Sequence, residues 1–191
     1  MDYCYVYYKI ELNIFGKKAL HDEAYALLDK LLCDKLGTGL DSYGEIKIAD
    51  GGKPYFDASG VSNLNASDVP HFNISHTKGG VMVGIASSEI GVDIEHARPM
   101  HGSLFARCFS ANDLAFIDTI NLNTAPLIPW TYKEAYLKAL GTGITGTAKL
   151  QGINLPLNHD APEFSFDYFS EGDYVGSVYV AAKTNIEIMR I

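Results

Sequence analysis

The sequence predicts an α+β protein made of two similar α+β halves, related by a pseudo-twofold duplication, with the ligand cleft between them. Strand-forming and amphipathic helical segments follow one another in the order strand, helix, strands, and this order occurs twice. In addition, the pattern of residues 70–95 resembles that of residues 162–188, about half the chain further on. Self-similarity at a fixed separation indicates a duplicated unit. We expect the halves to be 1–97 and 98–191.

The first half begins with strand-forming residues at 3–12 and continues with a helix at 19–36, which ends at Gly37. The helix is predicted because apolar residues recur at spacings of three and four, which places them on one face. These residues are Leu20, Ala24, Leu27, Leu28, Leu31 and Leu32. Short apolar runs bounded by turn residues then predict strands at 46–48, 51–56, 72–75, 81–86 and 91–95.

The second half opens with two segments of helical pattern, at 104–120 and 129–140. Pro129 suits the first turn of its helix, because proline lacks the N–H that a first turn leaves unpaired. Strands are predicted to follow at 164–169, 174–182 and 186–189.

Composition narrows the classes of function. The chain has 191 residues, 47% of them hydrophobic, which is enough for a packed core. The net charge of −8 argues against a broad basic surface for nucleic acid. No apolar run approaches the ~20 residues that span a bilayer, and the start lacks the features of a signal peptide. The three cysteines show no CxxC spacing, so we expect buried free thiols. We further expect a monomeric, cytoplasmic protein with no nucleic-acid or membrane partner.

Two carboxylates stand two residues apart in the predicted strand 91–95. Asp93 and Glu95 would point to the same face, while Val92 and Ile94 turn into the core. Adjacent carboxylates repel each other unless a cation lies between them. Taken alone, the pair fits a solvated acidic strand face better than a site.

A third carboxylate lies between two lysines on the predicted helix 129–140. Trp130, Glu134 and Lys138 fall about one turn apart, and Lys133 precedes the carboxylate. Three carboxylates with two ammonium groups suggest a divalent metal that grips a phosphate ester, since Mg²⁺ takes a few carboxylates and fills its other positions with water and phosphate. The plainer alternative is a surface Glu134–Lys138 pair beside a core tryptophan.

Further upstream, the segments Gly52-Lys53-Pro54 and Phe72-Asn73-Ile74-Ser75-His76 add a cation, a hydroxyl and an imidazole. All three groups are able to hold phosphate oxygens.

In order and spacing, the GKP turn, the FNISH segment, the GVDIE strand and the W-x-x-KEA-x-x-K helix resemble 4′-phosphopantetheinyl transferases of the larger, single-chain, Sfp-like type. The resemblance covers roughly residues 46–143. It implies Mg²⁺-dependent transfer of the phosphopantetheine arm from coenzyme A to a serine of an acyl or peptidyl carrier protein, with release of adenosine 3′,5′-bisphosphate. It also implies two α+β halves with coenzyme A between them.

The resemblance also assigns roles to residues. It implies that the metal ligands are Asp93, Glu95 and Glu134. It implies that the coenzyme is contacted by Lys53, Ser75, His76, Lys133 and Lys138. For its 3′-phosphate this sequence has no matching arginine, and the candidate contacts are Lys17 or Lys18. It implies that the catalytic groups are Glu134, Lys138 and His76. The base that accepts the serine proton is either Glu134 or a metal-bound water, and the sequence leaves both open.

The sequence departs from the family pattern at two places. An arginine-rich stretch usually precedes the first helix, whereas residues 16–23 offer lysines and a histidine. Thr142 stands where a lysine is common. Two alternatives follow: a different Mg²⁺-dependent phosphoryl transferase, or a coenzyme-binding or carrier-binding module without turnover. For the carrier, we expect a docking cluster drawn from Lys138, Lys149, Arg107, Phe105 and Phe109.

Overall fold

The computed structural model describes residues 2–14, 16–62, 64–98, 107–143, 150–154 and 163–191. These residues form a mixed α+β structure, which confirms the predicted class. The α-helices that lie wholly within the described residues are α1 (Lys17–Leu36), α2 (Ala111–Thr119) and α3 (Leu127–Leu140). The predicted helices 19–36 and 129–140 are therefore confirmed, each starting two residues earlier. Of the predicted helix 104–120, residues 104–106 lie outside the described residues.

The first sheet contains four strands in the order β4-β5-β1-β9. Their ranges are Cys4–Lys9 for β1, His71–Thr77 for β4, Gly80–Ala86 for β5 and Ile186–Arg190 for β9. Strand β1 pairs with β5 in antiparallel fashion and with β9 in parallel fashion. Between α1 and β4, strands β2 (Glu45–Ile48) and β3 (Pro54–Asp57) form a separate antiparallel pair.

The second sheet is antiparallel and has the order β6-β8-β7. Its strands are β6 (Ile90–His96), β7 (Ser165–Glu171) and β8 (Tyr174–Val180). All nine predicted strands are confirmed, with ends that differ by a few residues.

The elements stack in four layers, with α1 outermost on one side and α3 on the other. The buried leucines of α1 pack on one face of the first sheet, against Phe72, Val83 and Ile85. The opposite face of that sheet packs against the inner face of the second sheet, where Val92 and Ile94 of β6 are buried as predicted. The outer face of the second sheet contacts α3. Each amphipathic element thereby buries its apolar side.

The two sheets share a strand order. In each, the second strand of a hairpin, β5 or β8, pairs with the strand that opens its unit, β1 or β6. The division into 1–97 and 98–191 stays a prediction. Each sheet contains strands from both of these ranges. Strand β6 pairs with β8 of the second half, and β9 returns to pair with β1.

Burial differs among the three cysteines. Cys4 and Cys108 are buried, as the sequence suggested, whereas Cys33 is exposed and that expectation was wrong for it. Cys33 lies on α1 one residue beyond the buried Leu31–Leu32 pair, so the helix turns its side chain outward. In the part of the chain that the structure describes, no helix is long and apolar enough to cross a membrane.

A ladder of side-chain hydrogen bonds joins the two sheets. The side-chain oxygens of Asn73, Ser75 and Thr77 lie on one face of β4. They accept hydrogen bonds from the backbone N–H groups of Val92, Ile94 and His96 at 3.0, 3.3 and 3.2 Å. One edge of β6 pairs with β8. Along the other edge, side chains of β4 accept the hydrogen bonds that a neighbouring strand would otherwise accept. We call these three bonds the β4–β6 ladder.

Helix α3 approaches the second sheet closely at Gly91. A Cβ atom at this position would lie 1.9 Å from the carbonyl oxygen of Ala135, so the approach requires glycine. On the same flank, the buried hydroxyl groups of Thr131 and Ser177 are 2.6 Å apart. These contacts hold α3 directly over β6.

The ladder has a measurable contribution to stability. Replacing Asn73 by Leu leaves the buried N–H of Val92 without a partner, which should lower the free energy of unfolding by about 1–3 kcal/mol. The control is Asn13→Leu, because Asn13 is exposed. Urea unfolding of both variants measures the difference. Equal stabilities for the two variants would show that the ladder does not hold the sheets together.

Candidate active site

The candidate site forms where the β4–β6 ladder meets α3. Asp93 is only 4% exposed, and its Oδ1 atom accepts hydrogen bonds from the Ser75 hydroxyl at 2.9 Å and the Lys138 ammonium at 2.6 Å. Lys138 also donates to the Ser75 hydroxyl at 2.8 Å. Three residues from β4, β6 and α3 therefore meet at one carboxylate oxygen.

The second carboxylate oxygen of Asp93, Oδ2, differs from the first in its hydrogen bonding. Oδ2 is buried, and within the described ranges it has no hydrogen-bond partner. A buried acceptor without a partner costs free energy, and more so when it carries charge. A cation at Oδ2 would remove this cost, so the residues present fit a bound metal ion.

Glu95 lies beside Asp93 on the same face of β6, as predicted. Its Oε1 atom is 3.4 Å from the indole nitrogen of Trp130 and 3.5 Å from the guanidinium of Arg98. Its Oε2 atom is 3.5 Å from the Thr77 hydroxyl. Burial, and after it the negative charge of Asp93, raises the pKa of Glu95 above its ordinary value.

Glu134 completes the acidic group from the helix side. Burial raises its pKa to about 7, and the charge of Asp93 adds to this effect. The attraction of Lys138 acts in the opposite direction and is outweighed. Glu134 and Lys138 lie on one face of α3, as their spacing predicted. The structure adds that this face is turned toward Asp93, which Lys138 contacts and whose charge acts on Glu134.

The carboxylates do not form a closed cage. Among the described residues, no group of three or more His, Cys, Asp or Glu side chains is arranged to hold a metal ion by itself. Magnesium does not need such a cage, because it keeps several waters and is often bound through one or two carboxylates plus substrate phosphates.

Basic groups gather on the α1 side of the site. Burial lowers the pKa of His76, and the nearby charges of Lys138, His21 and Lys17 lower it further. Lys17 and His21 are one turn apart on α1 and so share a face. Lys18 is not part of this group: it is 89% exposed and pairs with Asp22 at 2.7 Å.

Lys53 connects the GKP turn to the end of α3. Its ammonium donates to the carbonyl oxygen of Ala139 at 2.8 Å and to the Glu89 carboxylate. A cavity of about 150 Å³ opens beside it. The residues that line it include Gly51, Gly52, Lys53, Pro54, Asn73, Ile74, Lys138, Gly141 and Gly143.

Lys133 does not reach the site, which corrects its predicted placement. Its side chain is fully buried and donates to the Asp113 carboxylate and, at 2.7 Å, to the carbonyl oxygen of Cys108. Successive residues of a helix are about 100° apart, so Lys133 and Glu134 point to different flanks of α3. The sequence spacing alone does not tell which flank faces the phosphate.

The predicted docking cluster for a carrier also needs correction. Phe109 is 4% exposed and packs with Cys108, Leu137 and Leu150, so it is unavailable to a partner. Arg107 is exposed, and Lys138 lies in the site. Phe105 and Lys149 lie outside the described residues.

The sequence of this chain is similar to sequences of known proteins. Residues 89–181 match the model of the 4′-phosphopantetheinyl transferase superfamily. This segment contains β6, α3, β7 and β8, and with them Asp93, Glu95, Glu134 and Lys138. Over these residues, the chain is similar to the 4′-phosphopantetheinyl transferase superfamily.

Three curated members of the superfamily illustrate the similarity. The 4′-phosphopantetheinyl transferase psf-1 of Bacillus pumilus is 28% identical over 70% of this chain and 65% of its own length. A 4′-phosphopantetheinyl transferase of Bacillus subtilis is 29% identical over 75% and 66%, respectively. The transferase Sfp of Bacillus subtilis strain 168 is 34% identical over 49% and 43%. The chain therefore covers from under half to about two thirds of these relatives.

Three residues that the structure places at or near the site have no separate role predicted from the sequence. Asn73 and Thr77 take part in the β4–β6 ladder, and His21 adds to the basic group near His76. The signal for the ladder was the alternation of polar residues at 73, 75 and 77 within an otherwise apolar strand. The signal for His21 was its spacing of four from Lys17.

The raised pKa of Glu134 predicts a specific dependence of stability on pH in the presence of a chelator. The folded-state pKa of about 7 exceeds the ordinary 4.5, so the folded protein binds this proton more tightly than the unfolded chain. The associated stability is present below pH 4.5 and is lost as pH rises through about 7. Glu134→Gln removes the ionisation and should stabilise the protein at pH 8.5, by up to about 3 kcal/mol.

The gain should shrink as the pH falls to 5. Thermal unfolding at both pH values measures it, with Glu45→Gln on the exposed part of β2 as the control. A glutamine variant that is less stable than the unmodified protein at pH 8.5 would contradict the burial of an ionisable Glu134.

Proposed function

We propose that this protein transfers the 4′-phosphopantetheine group of coenzyme A to a serine of an acyl or peptidyl carrier protein, as a transferase of the larger, Sfp-like type. One observation carries the proposal. Asp93 is buried with one oxygen held by Ser75 and Lys138 and the other unpaired, and two carboxylates of raised pKa stand beside it. Such a group of acids next to an ammonium suits a metal–pyrophosphate complex.

Magnesium is the metal we propose, held by Asp93 through Oδ2 together with Glu95 and Glu134. When bound, it would neutralise charge on the pyrophosphate of the coenzyme. Burial, and after it the charge of Asp93, raises the pKa of Glu95 and Glu134, and a cation among the three carboxylates would favour their ionised forms.

The basic residues hold the remaining phosphate charge. Lys138 stands against Asp93 and Ser75, so an incoming phosphate would share its ammonium. His76 lies within the electrostatic reach of Lys138, Lys17 and His21, so ammonium and imidazole groups able to contact phosphate lie close together here. We infer that Lys17 and His21 take the position of the missing arginines and hold the 3′-phosphate. The cavity beside Lys53 would receive the adenosine end of the coenzyme.

Glu134 is the base that we propose for the carrier serine. The transferring reaction needs little covalent help from the protein beyond positioning and removal of the serine proton. Burial is the main cause of the raised pKa of Glu134, and a buried carboxylate accepts a proton at neutral pH more readily than an exposed one. Lys138 would stabilise the negative charge that grows on the leaving bisphosphate.

The remaining sequence predictions form part of the same proposal. The shared strand order of the two sheets supports a duplicated unit of strand, helix and hairpin, with the coenzyme between the halves. The monomeric state, the cytoplasmic setting and the absence of nucleic-acid and membrane partners stay predictions.

The assay uses the protein with coenzyme A, Mg²⁺ and a panel of apo carrier proteins. Mass spectrometry should detect one phosphopantetheine added to a carrier. Glu134→Gln should reduce the rate by about 100-fold or more, because general base catalysis alone contributes 10²–10⁴-fold. Glu45→Gln, which changes an exposed carboxylate on β2, should retain full activity.

Failure to modify any carrier would contradict the proposed reaction. Calorimetry then separates the remaining alternatives: tight coenzyme A binding without transfer indicates a binding module, and no binding indicates a different phosphoryl substrate.

A further inference from the structure

A fully buried ion pair, Lys133–Asp113, holds α3, the helix that carries Glu134. Both Lys133 and Asp113 have 0% side-chain exposure. The Lys133 ammonium also donates to the carbonyl oxygen of Cys108 at 2.7 Å and lies 5.6 Å from the centre of the Phe109 ring. The pair thus joins α3 to α2 and to the segment that precedes α2.

Asp113 is itself fixed by the start of α2. Its Oδ2 atom accepts hydrogen bonds from the backbone N–H of Ser110 at 2.7 Å and from the Ser110 hydroxyl at 2.8 Å. The Ser110 hydroxyl in turn accepts from the N–H of Asp113 at 3.2 Å, which completes a capping box. The carboxylate that receives Lys133 therefore has one defined position.

Such a pair contributes little net stability, because removing two charges from water costs about as much as their attraction returns. Its best-attested use elsewhere is to select one geometry over others of similar packing energy. For α3, the geometry that the pair could select is the rotation of the helix about its own axis.

The contacts of α3 lie on two flanks, and the acidic face lies between them. On one flank, Ala135 meets Gly91 and Thr131 meets Ser177. On the other, Lys133 is held by Asp113. With about 3.6 residues per turn, Glu134 and Lys138 fall in the gap between these flanks, where Asp93 lies.

We propose that Lys133 is a positioning residue: its buried bond to Asp113 sets the rotation of α3 and so directs Glu134 toward Asp93. The proposal rests on the proposed function, in which Glu134 is a metal ligand and the base. It assigns to Lys133 a role different from the phosphate contact that the sequence implied. A side chain with no exposure and two protein acceptors has no free path to a substrate.

The test replaces both partners, because removal of one would leave the other charge buried and unpaired. The double variant Lys133→Met/Asp113→Leu keeps an apolar pair of similar size and should melt within a few degrees of the unmodified protein. Its kcat should fall at least tenfold, while its KM for coenzyme A changes less than threefold. Its affinity for Mn²⁺, measured by electron paramagnetic resonance without substrate, should fall at least tenfold.

The matched control is Lys47→Met/Asp57→Leu, an ion pair on the β2–β3 hairpin. It should leave kcat and Mn²⁺ affinity unchanged. An unchanged kcat and Mn²⁺ affinity in the Lys133/Asp113 variant would overturn the proposal and reduce the pair to packing. A raised KM with unchanged kcat would also overturn it, in favour of a substrate contact.

A second variant keeps the test decisive if the double variant fails to fold. Lys133→Met/Asp113→Asn removes both charges but keeps an acceptor for the N–H of Ser110, and it should lower both kcat and Mn²⁺ affinity at least threefold; wild-type values would overturn the proposal. The Mn²⁺ measurement needs no turnover. Should the unmodified protein transfer nothing to any carrier, the proposed function fails, and the metal affinities still decide the role of Lys133.

Discussion

The hydrogen bonds that join β4 to β6 are the constraint on which the rest of the structure depends. Two sheets that merely packed face to face could slide past each other, because apolar contact is not directional. Three acceptors at alternate positions of β4 bind three N–H groups at alternate positions of β6, and this match permits one register. Ser75 belongs both to this ladder and to the hydrogen bonds of Asp93, so the register of the sheets fixes the site.

The same junction concentrates charge that the fold alone would not favour. Asp93 is buried with an unpaired oxygen, and the two other carboxylates are held where ionisation is costly. The ammonium group of Lys138 neutralises only part of this negative charge. Sites that sacrifice stability in this way are typically sites that bind something, and a divalent cation with an attached phosphate suits both the acids and the neighbouring bases.

Much of the molecule could be predicted from the sequence because periodicity is a direct consequence of backbone geometry. The alternation in β6 correctly separates the buried Val92 from the carboxylate face, and the helical spacing correctly places Glu134 with Lys138. The location of Lys133 could not be predicted in this way, since helical spacing gives relative angles and not the identity of the neighbours. The pairing of β6 and β9 across the predicted boundary between the halves is likewise a matter of long-range contact, which no local pattern encodes.

We propose that the junction of β4, β6 and α3 holds a divalent cation on Asp93. The most direct measurement is a crystal structure with Mn²⁺ and coenzyme A, in which anomalous scattering locates the metal. We expect a peak about 2–2.6 Å from Oδ2 of Asp93, the range for hard cations bound to oxygen, with the coenzyme pyrophosphate on its open side. A metal peak away from Asp93, or coenzyme bound with no metal between it and Asp93, would contradict it.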